Sequence, residues 1–240
     1  MTPVRTSTPA NSEMLATRHG RYAHSVRRHN AGHEGPCGID QNVVMTEKET
    51  LQRYLAVQRD ALASKLDGVS EYDARRPHVP TGTNLLGIVK HVAYVQLGYL
   101  GDCFGRPSGI PTPWDDGNDD PDADLWVPAH ESREEIMDLF RRSADHADAT
   151  LEALELDAVG EVSWWPEDRR HPTLHGVVVH LLVDVARHTG HADILRERID
   201  GSIGYAPGNL NLPERDAASW AEHHGRVESA ARKAAGSPRS

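Results

Sequence analysis

Asp184 and His188 stand four residues apart in a stretch whose apolar residues recur at helical spacing. Both side chains therefore leave one face of one helix, about 6 Å apart along its axis. Val177, Leu181, Asp184, His188, His191 and Leu195 follow in alternating steps of four and three, which reads as one continuous seam turned toward a core. A carboxylate in such a seam must be paired or coordinated, because an isolated buried charge costs several kcal/mol or more. A second inward histidine, His91, falls between Ile88 and Val95 on another apolar stripe. Together His91, Asp184 and His188 offer two imidazoles and one carboxylate, the open ligand set of catalytic zinc, which keeps a position for water or substrate. Nickel or ferrous iron fits the same set. An ordinary Asp184–His188 ion pair, with His91 bonded to a carbonyl, accounts for the same spacing, and the residues alone leave both readings open.

The neighbouring side chains compete for roles. His191, three residues after His188, is an alternative ligand in place of Asp184 or a group that orients the ligating rings; His180, one turn before Asp184, reads as a histidine at the core edge. His171 and His175 carry no spacing argument. Trp164 and Trp165 on a connector read as a plug for the end of a bundle, with a pocket wall as the alternative. The acidic run Asp115 to Asp124 lacks the ligand spacing of a calcium loop and reads as a solvated connection.

The elements that must position these residues are helices. Leu51, Leu55, Leu62 and Leu66, widened by Tyr54 and Ala61, predict a first helix over 47–66. Thr83 is placed to cap a second, with Ile88, Val92, Val95 and Tyr99 as its buried stripe. Residues 105–130 form a long Pro-, Gly- and Asp-rich loop. Ser132 and Glu135 read as a capping box opening a third helix that ends near Leu154, with Ile136, Leu139, Phe140, Ala147 and Leu151 inward. The fourth and longest runs over about 173–199, and a last helix follows Pro213 to about Ala234. The fold class is all-α, with a helical domain over 45–236. Residues 1–44 lack periodicity and read as a disordered leader or a misassigned start, Met45 being an alternative first residue.

Composition excludes several classes of function. A net charge of −10 and the lack of a basic cluster speak against nucleic acid. Two cysteines, Cys37 and Cys103, build neither a disulfide framework nor a thiolate zinc site, so any metal must be held by histidine and carboxylate. The most apolar run, Val177 to Ala186, is broken by His180 and Asp184, and no apolar leader is present; the expectation is a cytoplasmic protein with no membrane span.

The segments Thr81-Gly-Thr-Asn-Leu-Leu-Gly-Ile-Val-Lys-His91 and Arg187-His-Thr-Gly-His-Ala-Asp-Ile-Leu-Arg196 resemble signature stretches of the DinB-like superfamily. The likeness runs from about Met45 to the end. It is greatest with an actinobacterial branch that also carries a Trp-Trp-Pro connector and the Gly208-Asn-Leu-Asn-Leu-Pro213 segment. The resemblance implies a four-helix bundle with a long crossover, here with an additional C-terminal helix, and a metal site with one ligand on the second helix and two on the fourth. Many members have histidine at both fourth-helix positions; this chain has Asp184 at the first, where the related mycothiol-dependent maleylpyruvate isomerase also uses a carboxylate. It further implies a metal-dependent thiol transferase or isomerase, a low-molecular-weight thiol such as mycothiol or bacillithiol as cofactor, a small electrophile as substrate, and a homodimer. A non-catalytic, stress-related metal-binding bundle is the alternative, and a ferrous oxygenase a third reading of the same triad.

Overall fold

The computed structural model describes residues 45–115, 117–206 and 208–236. The leader over 1–44, with Cys37, lies outside them, as does Asp116 of the acidic run. The described residues contain six α-helices and no strand: α1 (Glu47–Ser64), α2 (Glu71–Arg75), α3 (Leu85–Leu100), α4 (Arg133–Ala153), α5 (Leu174–Asp200) and α6 (Ala217–Gly236). The short α2, capped by Ser70, was not expected; five residues are too few for an apolar period to register.

Local chemistry sets the helix starts. Thr46 with Glu49, and Ser132 with Glu135, form reciprocal capping boxes at α1 and α4. Thr173 caps α5. At α3 the cap is Asn84, one residue later than expected: its side-chain oxygen accepts from the Gly87 N–H at 2.7 Å, while the Thr83 hydroxyl faces Thr81. Asparagine outranks threonine as a cap, and such a cap contributes about 1 kcal/mol.

α1, α3, α4 and α5 form the bundle. Its directions can be read from side-chain pairs. Glu47 meets His175 and Lys65 meets Asp193, so α1 and α5 run parallel. Gln96 meets Ser143 and Arg106 meets Thr150, so the chain also runs the same way through α3 and α4. Lys48 donates to the Leu154 carbonyl and Arg59 pairs with Asp148, making α1 and α4 antiparallel. Two successive parallel helices, α3 and α4, require the connection between them to traverse the bundle's length, and residues 101–132 are that long crossover.

The core joins Leu55 and Leu62 of α1, Val89 and Val92 of α3, Phe140 and Leu151 of α4, and Val177 to Leu195 of α5. A buried polar layer crosses it, in which Arg59 donates to Gln96 and to Asp148 and Gln96 donates to Ser143. Tyr54, expected on the buried stripe of α1, is exposed.

The crossover is clamped to α3. Asn84 and Lys90 reach the carbonyls of Leu125 and Trp126, the buried Lys90 ammonium pairs with Glu131 at 2.9 Å, and Arg75 donates to three carbonyls between Val127 and Glu131. The Leu125 carbonyl lies so near the helix that a Cβ on Gly87 would sit 2.0 Å from it, so only glycine fits. α6 belongs to a second compact unit; Asp216 accepts from the Ser219 N–H at its start, Arg215 stacks on Trp220, and none of its residues is buried.

Candidate metal centre

His91 on α3 and the Asp184 and His188 pair on α5 face each other where the two helices run antiparallel. The antiparallel register is fixed by two ring contacts: His91 with His188, centroids 4.8 Å apart, and Tyr99 with His180, 5.0 Å apart. One ligand atom from each of His91, Asp184 and His188 lies within 4.8 Å of the other two. The expected seam meets the core only at its two ends, through Val177, Leu181 and Leu195. The buried residues of α5 are Leu174, Val177, Val178, Leu181, Val185, Thr189, Ala192 and Leu195, while Asp184 and His188 are half-buried on the adjoining flank and His191 and His180 are exposed. Solvent therefore reaches the triad from one side.

The separation of Asp184 and His188 fits a shared divalent ion better than it fits a hydrogen-bonded ion pair. His188 Nε2 and Asp184 Oδ1 are 3.6 Å apart, too far for a hydrogen bond. Two ligands on one ion with bonds of 2.0–2.2 Å at a tetrahedral angle stand about 3.4 Å apart. Asp184 Oδ2 and His188 Nδ1 are both shielded from solvent and have no hydrogen-bond partner. Orphaned polar atoms of this kind cost about 1–3 kcal/mol each unless something satisfies them. Burial, the largest cause, lowers the His188 pKa, reinforced by His91, His191 and Arg187 and opposed by the Asp184 charge. The ring is thus held neutral, the form that binds a metal.

A further residue completes the site, and it comes from the crossover. Asp124 is buried, and its Oδ2 accepts from His91 Nδ1 at 2.7 Å. With Nδ1 committed to donating, His91 keeps Nε2 free as a ligand, the usual carboxylate–imidazole arrangement behind a metal. The acidic run, expected as a solvated connection, departs from that at its last member, because the Lys90, Asn84 and Arg75 clamps draw the chain around Asp124 onto α3. Alternation gives no hint of this. The available signal was an aspartate flanked by Ala123 and Leu125 at the end of an otherwise polar run.

The other expected residues fall outside the triad. His191 stands edge-on to His188 with centroids 5.6 Å apart. His175 faces Glu47, and His171 lies exposed near the entrance to α5. Trp165 packs against the core as a plug does, but Trp164 is exposed. Cys103 is buried, and burial, with Asp102 and Glu161 adding to it, pushes its thiol up to about 11. No helix among the described residues is long and apolar enough to cross a membrane.

No curated protein matches the chain. Among solved structures, a conserved protein from Enterococcus faecalis is similar over 66% of this chain and 99% of its own, at 16% identity and a TM-score of 0.49. That similarity is too weak to carry an argument. The sequence model described as Mycothiol-S-transferase matches residues 50–201, a span that contains all four bundle helices apart from the first turn of α1 and includes His91, Asp124, Asp184 and His188. By that match and by its helical fold, the chain belongs to the mycothiol-S-transferase family, a DinB-like family.

Proposed function

We propose that the chain is a metal-dependent S-transferase that joins a low-molecular-weight thiol, mycothiol or a close relative, to a small electrophile. The observation that carries this reading is the half-open triad with its two unsatisfied atoms, Asp184 Oδ2 and His188 Nδ1. His91, Asp184 and His188 would hold the ion, zinc first among the metals that suit two imidazoles and a carboxylate. A divalent ion bound there lowers the pKa of a coordinating thiol, so that the thiolate, the nucleophilic form, persists at neutral pH.

The chain's own residues supply the rest. Asp124 orients His91 and keeps one tautomer. His188 stays neutral through burial. Exposed His191, beside His188, is placed to carry the thiol proton to solvent. Among the described residues the one cysteine, Cys103, is set against a nucleophilic role by its burial and raised pKa, which supports a thiol that arrives as a small molecule. Among the described residues the ligand cluster has three members, which leaves a position for that thiol and favours turnover over a closed structural site.

Elemental analysis after reconstitution tests the metal. About one ion per chain is expected in wild type and in His191→Ala, and none in His91→Ala, Asp184→Ala or His188→Ala. Thiol conjugation by the loaded protein, abolished by a chelator and restored by the metal, tests the activity. A wild-type protein that takes up no stoichiometric metal overturns the reading.

A further inference from the structure

Tyr99, Trp164, Trp165 and His180 form an aromatic cluster that the metal chemistry does not use. Tyr99 is at its centre. Trp164 meets its ring edge-on at 5.4 Å, Trp165 lies at 5.9 Å and His180 at 5.0 Å, while His180 also meets Trp165 at 5.0 Å. The cluster lies on the same α3–α5 seam as the triad. His180 is one turn before Asp184 and two turns before His188, so it stands about 6 and 12 Å from them along the axis. Tyr99 is likewise two turns beyond His91.

Three observations indicate a surface built to receive a ring. Trp164 is 58% exposed although its indole rests beside Gly98, where an added Cβ would lie 3.8 Å from it. A large apolar side chain is thus held beside the bundle with more than half of its surface in solvent. Both indole N–H groups are already spent, donating to Tyr99 Oη at 3.4 and 3.2 Å, which fixes the two rings. Of the cluster's own side chains, the Tyr99 hydroxyl hydrogen and the His180 ring nitrogens remain for polar contacts. A sugar ring, with several hydroxyls to satisfy, is poorly served by so few partners. A flat, neutral aromatic ring needs only faces and edges, and offset or edge-on ring pairs contribute beyond the area they bury.

We propose that this cluster is the acceptor subsite, seating a neutral aryl ring of the electrophile within reach of the triad. The proposal rests on the metal–thiol reading for the role of the ring, though not for its binding. It makes Trp164 a determinant of specificity: electrophiles bearing an aryl group bind there, and those bearing only a sugar or a short chain do not.

The test uses the full chain, in chelator and again loaded with zinc. The probes are 4-nitrobenzyl alcohol, neutral and aromatic, and methyl α-D-glucopyranoside. The side-chain N–H resonances of Trp164 and Trp165 are followed by nuclear magnetic resonance, assigned from Trp164→Phe and Trp165→Phe. Saturable shifts of both resonances are expected with the nitrobenzyl probe, at least fivefold weaker binding in Trp164→Leu, unchanged binding in His91→Ala, and no response to the glucoside. Trp164 is exposed, so its replacement leaves the core intact. Equal binding in Trp164→Leu, absence of saturation, or a glucoside that saturates the same resonances at the same concentration or below overturns the subsite. Failure of wild type to load zinc while the nitrobenzyl response persists removes the metal reading and leaves the subsite standing.

Discussion

Replacing Asp184 with asparagine should move stability in opposite directions with and without metal. The side chain is 29% exposed, its Oδ1 lies 3.6 Å from His188, and its Oδ2 is shielded and unpartnered. Without metal, that carboxylate is a poorly satisfied charge. An unsatisfied buried acceptor costs about 1–3 kcal/mol, and partial exposure places Asp184 at the lower end, so Asp184→Asn should stabilise the metal-free protein by about 1 kcal/mol. With free zinc at a thousand times the dissociation constant, wild type gains about 4.1 kcal/mol by mass action. If loss of the ligand charge weakens binding about a hundredfold, the same zinc is only ten times the variant's constant and contributes about 1.4 kcal/mol. The variant should then be more stable than wild type by about 1 kcal/mol in chelator and less stable by about 2 kcal/mol in zinc. Urea unfolding followed by circular dichroism, at matched free zinc set with a metal buffer, measures both. A variant less stable than wild type in chelator, or one that gains as much from zinc, would refute the assignment of Asp184 as a ligand held in reserve.

Four other outcomes follow from the geometry. Asp124→Asn should weaken zinc binding about tenfold, the lower end for an orienting partner because the amide oxygen still accepts from His91, and Asp124→Ala should approach a hundredfold in competition with a chromogenic chelator. Gly87→Ala places a Cβ 2.0 Å from the Leu125 carbonyl; about 1–3 kcal/mol of stability should be lost, and because Leu125 adjoins Asp124, zinc affinity should fall with it. Glu131→Gln strands the buried Lys90 ammonium and should destabilise more than Lys90→Met in urea unfolding, yet by less than the ~3–5 kcal/mol of a fully buried pair, since Glu131 is 31% exposed. In a Cys37→Ser background, Cys103 at about 11 is only about 0.1% thiolate at pH 8, against about 24% for an unperturbed thiol, so labelling with a disulfide reagent should be slower than in urea by two hundredfold or more. The sign is that of a raised thiol pKa: labelling speeds up as pH climbs toward 11.

The helices were legible because each is long enough for its apolar period to repeat. Leu55 to Leu66, Ile136 to Leu151 and Val177 to Leu195 each mark a face that the structure buries. The approach of Asp184 to His188 was legible for a different reason: a carboxylate and an imidazole four residues apart share a face in any helix, whatever the tertiary fold. What periodicity could not settle was which flank of α5 meets the core. Asp184 and His188 fit a 3.5-residue seam through Val177, Leu181 and Leu195, which are buried, but the 3.6-residue helix also buries Val178, Val185, Thr189 and Ala192, which leaves the pair at the edge of the buried face. The contribution of Asp124 was hidden more deeply. Its position depends on Lys90, a residue whose type favours the surface yet which is among the most buried in the molecule, and on the close approach that Gly87 permits.

The displacement of the triad from the core separates two demands on α5. The row that holds the bundle together is purely apolar apart from Thr189, whose hydroxyl is satisfied by the Val185 carbonyl. The row carrying His180, Asp184, His188 and His191 contributes rings and charges but little of the packing. Substitutions along the second row should therefore alter the proposed metal, thiol or electrophile preference without opening a cavity, while the crossover, clamped through Lys90 and Arg75, holds Asp124 behind His91 from the opposite side. A site built on helices and oriented by a strapped loop keeps its side chains near one geometry without being buried, which is what the proposed centre, open to an incoming thiol, would require.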